Sequence, residues 1–492
     1  MTIGGVVIAL ALLALILVVL WWSWRHPFVG IGFLVAGMAF HSFVIMVLLR
    51  LGTPALLVRA VQGWKELLLL VLFVVAARGL WAMRGSAWRE ALTPVDWLVA
   101  AFALLAIIYF LLPSSLLHSG ANLQQRLVGF RVVFMIPLLY FLGRTLKPAG
   151  DYERMSVVWL GLGAAGVMTL FGIFELFFIP TRTWIDWGVN LYSSFLGFTY
   201  HGPSGMPENF FLTLPDDTLV RRMVSTYVSP LGIAYTALLL FPMGIVVIDR
   251  RVPPSTARWI GVLTSLVVLG VLLTITRLAL FSLIGEIALM WLLFRRSWML
   301  ALVPVVVVAA VIVLYPYTSI APAVDRNLNP VHRTGLVWAI SGNDSSTREH
   351  WGYLVQDLKV DLQHPLGLGT GASTIRYGSL VGTGESAVLG VFGDLGLLGG
   401  LIYVAIYLLV LWQGWQAISA ARAPSLAQVM PVVALVGGLG IAPITLTSDV
   451  WGDLSVTFLF WWAAGATASL ATQTAAARAR AGWTAQPAAT VT

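Results

Sequence analysis

Long, nearly uninterrupted apolar runs divide the chain, and that pattern constrains it more than any single residue does. A membrane-spanning helix needs about 20 apolar residues in a row. Such runs recur near 4–22, 28–50, 64–83, 95–112, 129–146, 156–179, 227–248, 259–275, 278–294, 297–315, 387–410, 427–446 and 453–471. The strands of a membrane barrel would alternate apolar and polar positions, and these runs do not alternate. Only 10% of the residues are charged and 59% are hydrophobic, whereas a soluble domain carries about 25% charge. A soluble fold would have nowhere to hide so much apolar surface. The expectation is an all-α, polytopic membrane helical bundle of about 12–13 transmembrane helices. The stretch from Trp259 to Phe294 must be two helices, because one would be nearly twice as long as the hydrocarbon is thick. Arg277 marks the break.

Several chemistries are excluded at once. The chain has no Cys, so disulfides, thiol nucleophiles and thiolate metal sites are out. Its seven His are scattered, with no HExxH or paired-His spacing, so no metal site is expected and no cofactor is called for. The formal net charge of +8 suits membrane lipids or an anionic substrate. With no basic run or recognition motif, no nucleic acid is expected. The opening MTIGGVV lacks the basic start of a signal peptide, so the first run is read as a retained span.

Lys and Arg in the short loops orient the bundle. Arg84, Arg89, Lys147, Arg154, Arg250, Arg251, Arg258, Arg295, Arg296, Arg422, Arg478 and Arg480 all fall on one side when thirteen helices are counted. That side is read as cytoplasmic, with the N-terminus outside and the C-terminus inside. Trp21, Trp22, Trp24, Trp461 and Trp462 fall where aromatic belts are expected. The organisation read from this is a bundle over 1–315 with an external loop at 181–226, a large external loop at 316–386, further transmembrane helices over 387–471, and a disordered tail over 472–492.

The outer side breaks the charge rule. It holds Arg126, Arg131, Arg182, Arg221, Arg222, Arg277, Arg326, Arg333, Arg348, Lys359 and Arg376, several of them at helix mouths. Arg131 opens a span in GFRVVFMIPLLYFLGR, Arg222 precedes one in RRMVSTYVSP, and Arg277 interrupts LLTITRLALF. An ionisable group so placed costs a few kcal/mol unless paired or solvated. Snorkelling or a structural ion pair accounts for any one of them about as well as function does; for Arg277, apolar on both sides, function is favoured. Guanidinium binds phosphate oxygens in pairs, so an arginine cluster at helix mouths suits a pyrophosphate or other polyanion. An anion or lipid-linked glycan transporter would show the same pattern, although no inverted repeat is visible. In the second loop, Trp351, Leu354, Val355 and Leu358 have helical spacing, with Ser346 or Thr347 as N-cap. HPLGLGTG then turns the chain, and a plain turn explains it better than a phosphate cradle does. Glu385 is poised equally to act as a base or to cap the next helix. His350 and His364 are external, and a lone His is more often structural. Glu286 lies in an apolar run and needs an arginine partner or a proton. Asp394 and Asp449 are assigned to helix ends.

Four stretches in this order resemble the O-antigen ligase and polymerase family of membrane glycosyltransferases: GFRVVFMIPLLYFLGR, RRMVSTYVSPLGIAYTALLL, TITRLALFSLIGE, and STREHWGYLVQDLKVDLQHPLGLGTG followed by ESAVLGVFGDLGLLGG. The resemblance spans roughly residues 120 to 410. It departs from the family at Thr276, where a Ser is usual, and at Glu385 and Ser386, where many ligases place a His-Asn pair. It implies a loop-capped bundle in the bacterial cytoplasmic (inner) membrane with its active face periplasmic. It also implies metal-independent transfer of a glycan from an undecaprenyl-pyrophosphate carrier to an acceptor hydroxyl on a glycan, lipid or protein, as a polysaccharide polymerase or ligase does. By position, Arg277 and Arg222 would hold the pyrophosphate and Arg348 would match a loop arginine, while Glu385, where the pattern departs, is the candidate to activate the acceptor. Arg131, Arg348, His364 and Tyr377 are the further substrate-binding candidates.

Overall fold

A computed structural model describes residues 2–82, 92–117, 119–197, 199–213, 219–249, 252–324, 345–373, 383–420 and 425–484. Among these residues the chain is an all-α polytopic bundle. Eleven helices are long and apolar enough to cross a membrane, and two shorter apolar helices, Ser297–Val313 and Leu454–Leu470, stand where the remaining two runs were expected.

The N-terminal part comprises α1 (Ile3–Arg25), α2 (Pro27–Gly37) and α3 (His41–Arg50), joined by a 3-10 turn, α4 (Ala55–Gln62), α5 (Trp64–Ala82), α6 (Pro94–Leu111), α7 (Leu123–Thr145) and α8 (Asp151–Phe178). α6 and α7 start on capping boxes, Thr93 with Asp96 and Asn122 with Gln125, which satisfy the first free backbone N–H groups. The second box starts α7 six residues earlier than its apolar run does. Arg131 is therefore two turns inside the helix and does not open it. Trp21, Trp22 and Trp24 are exposed, as an aromatic belt requires, whereas Trp461 and Trp462 are fully buried. Trp462 fills the core and donates its Nε1–H to Leu146 O at 2.9 Å.

The segment between α8 and the next long helix, expected to be external, folds as α9 (Thr183–Asp186), α10 (Val189–Leu196) and a small hairpin of β1 (Phe211–Thr213) and β2 (Leu219–Arg221), paired Phe211 to Arg221. The sequence reading had no strand here. Next come α11 (Pro230–Ile248), α12 (Pro254–Thr274), α13 (Arg277–Phe294) and α14 (Ser297–Val324). The break falls before Arg277 as expected.

The second segment contains α15 (Ser345–Gln363), which starts one residue earlier than the expected cap. α16 (Ala387–Ala420) is broken at Gly396, whose φ of 70° and ψ of −176° are not helical. α17 (Val429–Val432), a π turn over Val433–Gly437 and α18 (Gly438–Thr447) form one interrupted span, and α19 (Leu454–Thr484) closes the chain. The tail expected to be disordered is helical to Thr484, in keeping with its alanine content.

The break in α16 anchors the second segment. Leu397 cannot bond back through Gly396 and instead donates to Pro365 O at 2.8 Å, while Leu368 and Gly369 donate to Gly393 O and Asp394 O. Asp394 accepts from Gly371 N at 2.8 Å and Ser373 N at 3.0 Å, so it clamps a loop inside the helix rather than ending one. Gly371 has a φ of +87°, and a Cβ there would lie 2.1 Å from Gln125 O. The glycines of GLGTG thus let backbone pass against backbone, as the plain-turn reading held.

Candidate functional site

The two adjacent arginines after β1 have different tasks. Arg221 is almost completely buried and pairs with Glu175 of α8. Its Nη1 donates to Ile179 O at 2.6 Å. Glu175 also accepts from Trp184 Nε1 at 2.8 Å and, more weakly, from the amides of Val224 and Ser225. This is a satisfied buried pair that fixes the first loop.

Arg222 points the other way. Its Nε donates to Thr274 O at 2.7 Å, its Nη2 to Thr276 Oγ1 at 2.8 Å and its Nη1 to Asn209 O at 3.3 Å. Two of its five donors grip the turn between α12 and α13, and a third ties it to the first loop at Asn209. Met223 N adds a bond to Leu273 O at 3.0 Å. Between the two threonines, Ile275 sits at a φ of 50°, a left-handed conformation that costs a β-branched residue about 1–3 kcal/mol. The next residue is Arg277. Arg222 is 8% exposed, so it braces the strained turn that presents Arg277, which is itself half-buried.

Glu385 comes from the opposite side. The side-chain cap of α16 is Ser386, whose Oγ accepts from Leu389 N at 3.1 Å, so Glu385 is released from capping. Its Oε2 lies 2.8 Å from His350 Nδ1 on α15. Both side chains remain partly open, at 43% for His350 and 26% for Glu385. The hydrogen bond to Glu385 raises the His350 pKa above the usual histidine value, against burial and the opposing charge of Arg277. Arg277 therefore acts on the same imidazole. Tyr235, in the second turn of α11, lies within electrostatic reach of Arg222, Glu385 and Asp453. Segments near 222, 277, 350 and 385 thus meet at one end of the bundle.

The other sequence candidates lie apart from this group or beyond description. Arg348 is exposed at the start of α15, two residues before His350. His364 is exposed in the turn after α15, 14 residues from His350 and about 21 Å farther along the chain at helical rise. Arg131 belongs to a cluster with Glu66, at 3.9 Å, and with Lys65 and His41. Tyr377 lies outside the described residues, as do Arg326, Arg333, Arg376 and His118. Glu286 has no arginine: neither carboxylate oxygen has a hydrogen-bond partner among the described residues. Among those residues, no group of His, Asp and Glu is arranged to hold a metal.

Sequence reasoning passed over His350 as a lone histidine. A helical signal was available, since His350, Asp357 and Asp361 recur at spacings of seven and four and so share one face of α15. Asp357 bonds the amide and hydroxyl of Thr383, two residues before Glu385. Asp361 lies among the charges of Asp357 and Asp394, which together with burial push its carboxyl up to about 7. That face docks the helix, and the docking brings His350 to Glu385.

No protein-family model matches this chain, and no curated protein matches it.

Proposed function

We propose that the protein is a glycosyltransferase that moves a glycan from an undecaprenyl-pyrophosphate carrier to an acceptor hydroxyl, as a polysaccharide polymerase or ligase does. In this reading it sits in a bacterial cytoplasmic membrane with the His350 end outward. The observation that carries the reading is the meeting of a carboxylate–imidazole pair with a presented arginine at the helix mouths. The motif order that resembles the O-antigen ligase and polymerase family supports it.

The chemistry assigns each group a task. Negative charge develops on the departing diphosphate, and Arg277 stabilises it there as a fixed guanidinium. Arg222 is a positioning residue, because its hydrogen bonds hold the turn that carries Arg277. Glu385 holds His350 through Nδ1, which leaves Nε2 toward the open side to take the proton of the acceptor hydroxyl. Arg348 stands at the rim, where sugars of donor or acceptor would pass. The bond from the anomeric carbon to the diphosphate oxygen breaks, and the bond to the acceptor oxygen forms. The acceptor proton leaves through the His350–Glu385 pair.

The test is the purified full chain in proteoliposomes, supplied with an undecaprenyl-diphosphate-linked glycan and an acceptor. Glycan joined to the acceptor, with release of undecaprenyl diphosphate, is the expected result. Movement of the donor across the bilayer without a joined product would overturn the transferase reading in favour of a transporter.

A further inference from the structure

α15 has three faces where a helix floating in water would have two. Successive residues turn about 100° around the axis. The first face holds His350, Asp357 and Asp361 and docks on the chain before and within α16, through Glu385, Thr383 and the neighbourhood of Gly393. The second stacks Trp351, Val355, Leu358 and Leu362 at spacings of four, three and four. These side chains are 69%, 37%, 50% and 72% exposed. The third holds Gly352, Gln356, Lys359 and Gln363, all exposed. An uncovered apolar stripe of this length marks a contact surface.

What covers the stripe follows from where it leads. Beyond α15 it continues into Leu366, 77% exposed. Leu366 is held at the mouths of two spanning helices: its carbonyl accepts from Tyr109 in the last turn of α6, and Leu397 of α16 bonds its neighbour Pro365. Leu397, Leu398 and Leu401 are 51%, 63% and 54% exposed on a helix long and apolar enough to span a membrane, so lipid must cover them. The stripe of α15 therefore runs without interruption onto lipid-facing surface. Arg348 and Lys359 flank it on the watery side, where long cationic side chains keep an apolar stem in contact and reach toward lipid phosphates.

We infer that α15 is an interfacial helix, lying in the headgroup layer of the bilayer with Trp351, Val355, Leu358 and Leu362 turned into the lipid. One side is fixed to the bundle, one is wetted by acyl chains and one faces water. The helix then carries His350 at the depth of the lipid phosphates. This inference rests on the membrane architecture alone and stands or falls separately from the transferase reading.

The absence of native cysteine makes the test direct. Leu358→Cys, Leu362→Cys and Gln356→Cys are each labelled with a nitroxide in the full chain and placed in phosphatidylethanolamine–phosphatidylglycerol vesicles. All three positions are exposed, so the labels leave the docked face intact. Labels at 358 and 362 should be several-fold more accessible to oxygen, relative to a water-soluble nickel chelate, than the label at 356. Equal nickel access at all three sites would overturn the inference and leave α15 standing off the membrane. Spin–spin broadening between labels at 358 would also overturn it and would assign the stripe to a second copy of the chain.

Discussion

Two ion pairs, Arg144 with Asp96 and His350 with Glu385, handle charge in opposite ways. Near the C-terminal end of α7, Arg144 meets Asp96 through two bonds of 2.8 and 2.9 Å, and Tyr140 donates to the same carboxylate at 2.9 Å. Asp96 is 1% exposed there and Arg144 11%. Every strong group has a partner and solvent is shut out. By contrast His350 and Glu385, where α15 docks on the chain before α16, stay partly open beside a presented arginine. The difference separates a charge used for holding from a charge kept for use. A closed pair contributes to fold and specificity, whereas an open pair beside an arginine presented by a strained turn gives up packing for access.

The comparison can be broken first at the open pair. Glu385→Gln should lower transfer by about 10²–10⁴ while the thermal midpoint in detergent stays near that of the parent. An unchanged rate would remove the pair from the mechanism. Its pH profile adds a sign. The Glu385 bond is the main cause raising His350, and a neutral imidazole is needed to accept a proton, so activity rises as pH passes the raised His350 value. Residual activity in Glu385→Gln should begin its rise at lower pH. As an ion pair, His350 and Glu385 stabilise the docked helix below the unfolded histidine value, and this is lost as pH rises through the folded one.

Arg277→Ala should cost about 10²–10³ in rate, with Arg277→Lys recovering part of it. Arg222→Lys should give a smaller loss that tracks the rigidity of the turn. If Arg222→Lys proves worse than Arg277→Ala, their roles are exchanged. At the closed pair the expectation reverses. Arg144→Ala strands a buried carboxylate and should cost about 3–5 kcal/mol in stability, read as a lower unfolding midpoint, while turnover per folded molecule is kept.

The smallest effect belongs to Asp361. Its carboxyl is raised to about 7, so a proton bound there favours docking of α15. That contribution fades as pH climbs from the ordinary aspartate range through 7. A spin label at Gln356→Cys should become more mobile between pH 6 and 8 in the parent chain, and Asp361→Asn should flatten the change. Equal pH dependence in both would place the switch elsewhere.

The bundle was legible because its signal is redundant: each span repeats the same apolar message over some twenty residues, and a single misplaced boundary leaves the message intact. Boundaries moved where polar chemistry took over, as at Asn122, whose capping box pulled Arg131 inside a helix. The site was only partly legible. Arg277 announced itself by standing alone in an apolar run, and it lies at the break. Arg222 was picked for binding phosphate, yet two of its donors serve the turn and a third serves the first loop. Glu385 was balanced between base and cap until Ser386 proved to be the cap. His350 carried little local signal, since its meaning depends on a residue 35 positions away. Trp461 and Trp462 show the limit of placing aromatics by span ends: both were expected in a belt at the membrane surface, and both are buried.

The clamp at the break of α16 also sets an order of assembly. Tyr109 and Leu366 are 257 positions apart, and Gln125 waits for Gly371 across a similar interval. Synthesis runs from the N-terminus, so the mouths of α6 and α7 enter the bilayer long before the loop that will rest on them. That loop has no seat of its own until Gly393, Asp394 and Leu397 arrive with α16. Completion of this end of the bundle is thereby tied to insertion of nearly the whole chain. A ribosome that stops short releases a bundle in which His350 and Glu385 have not been brought together.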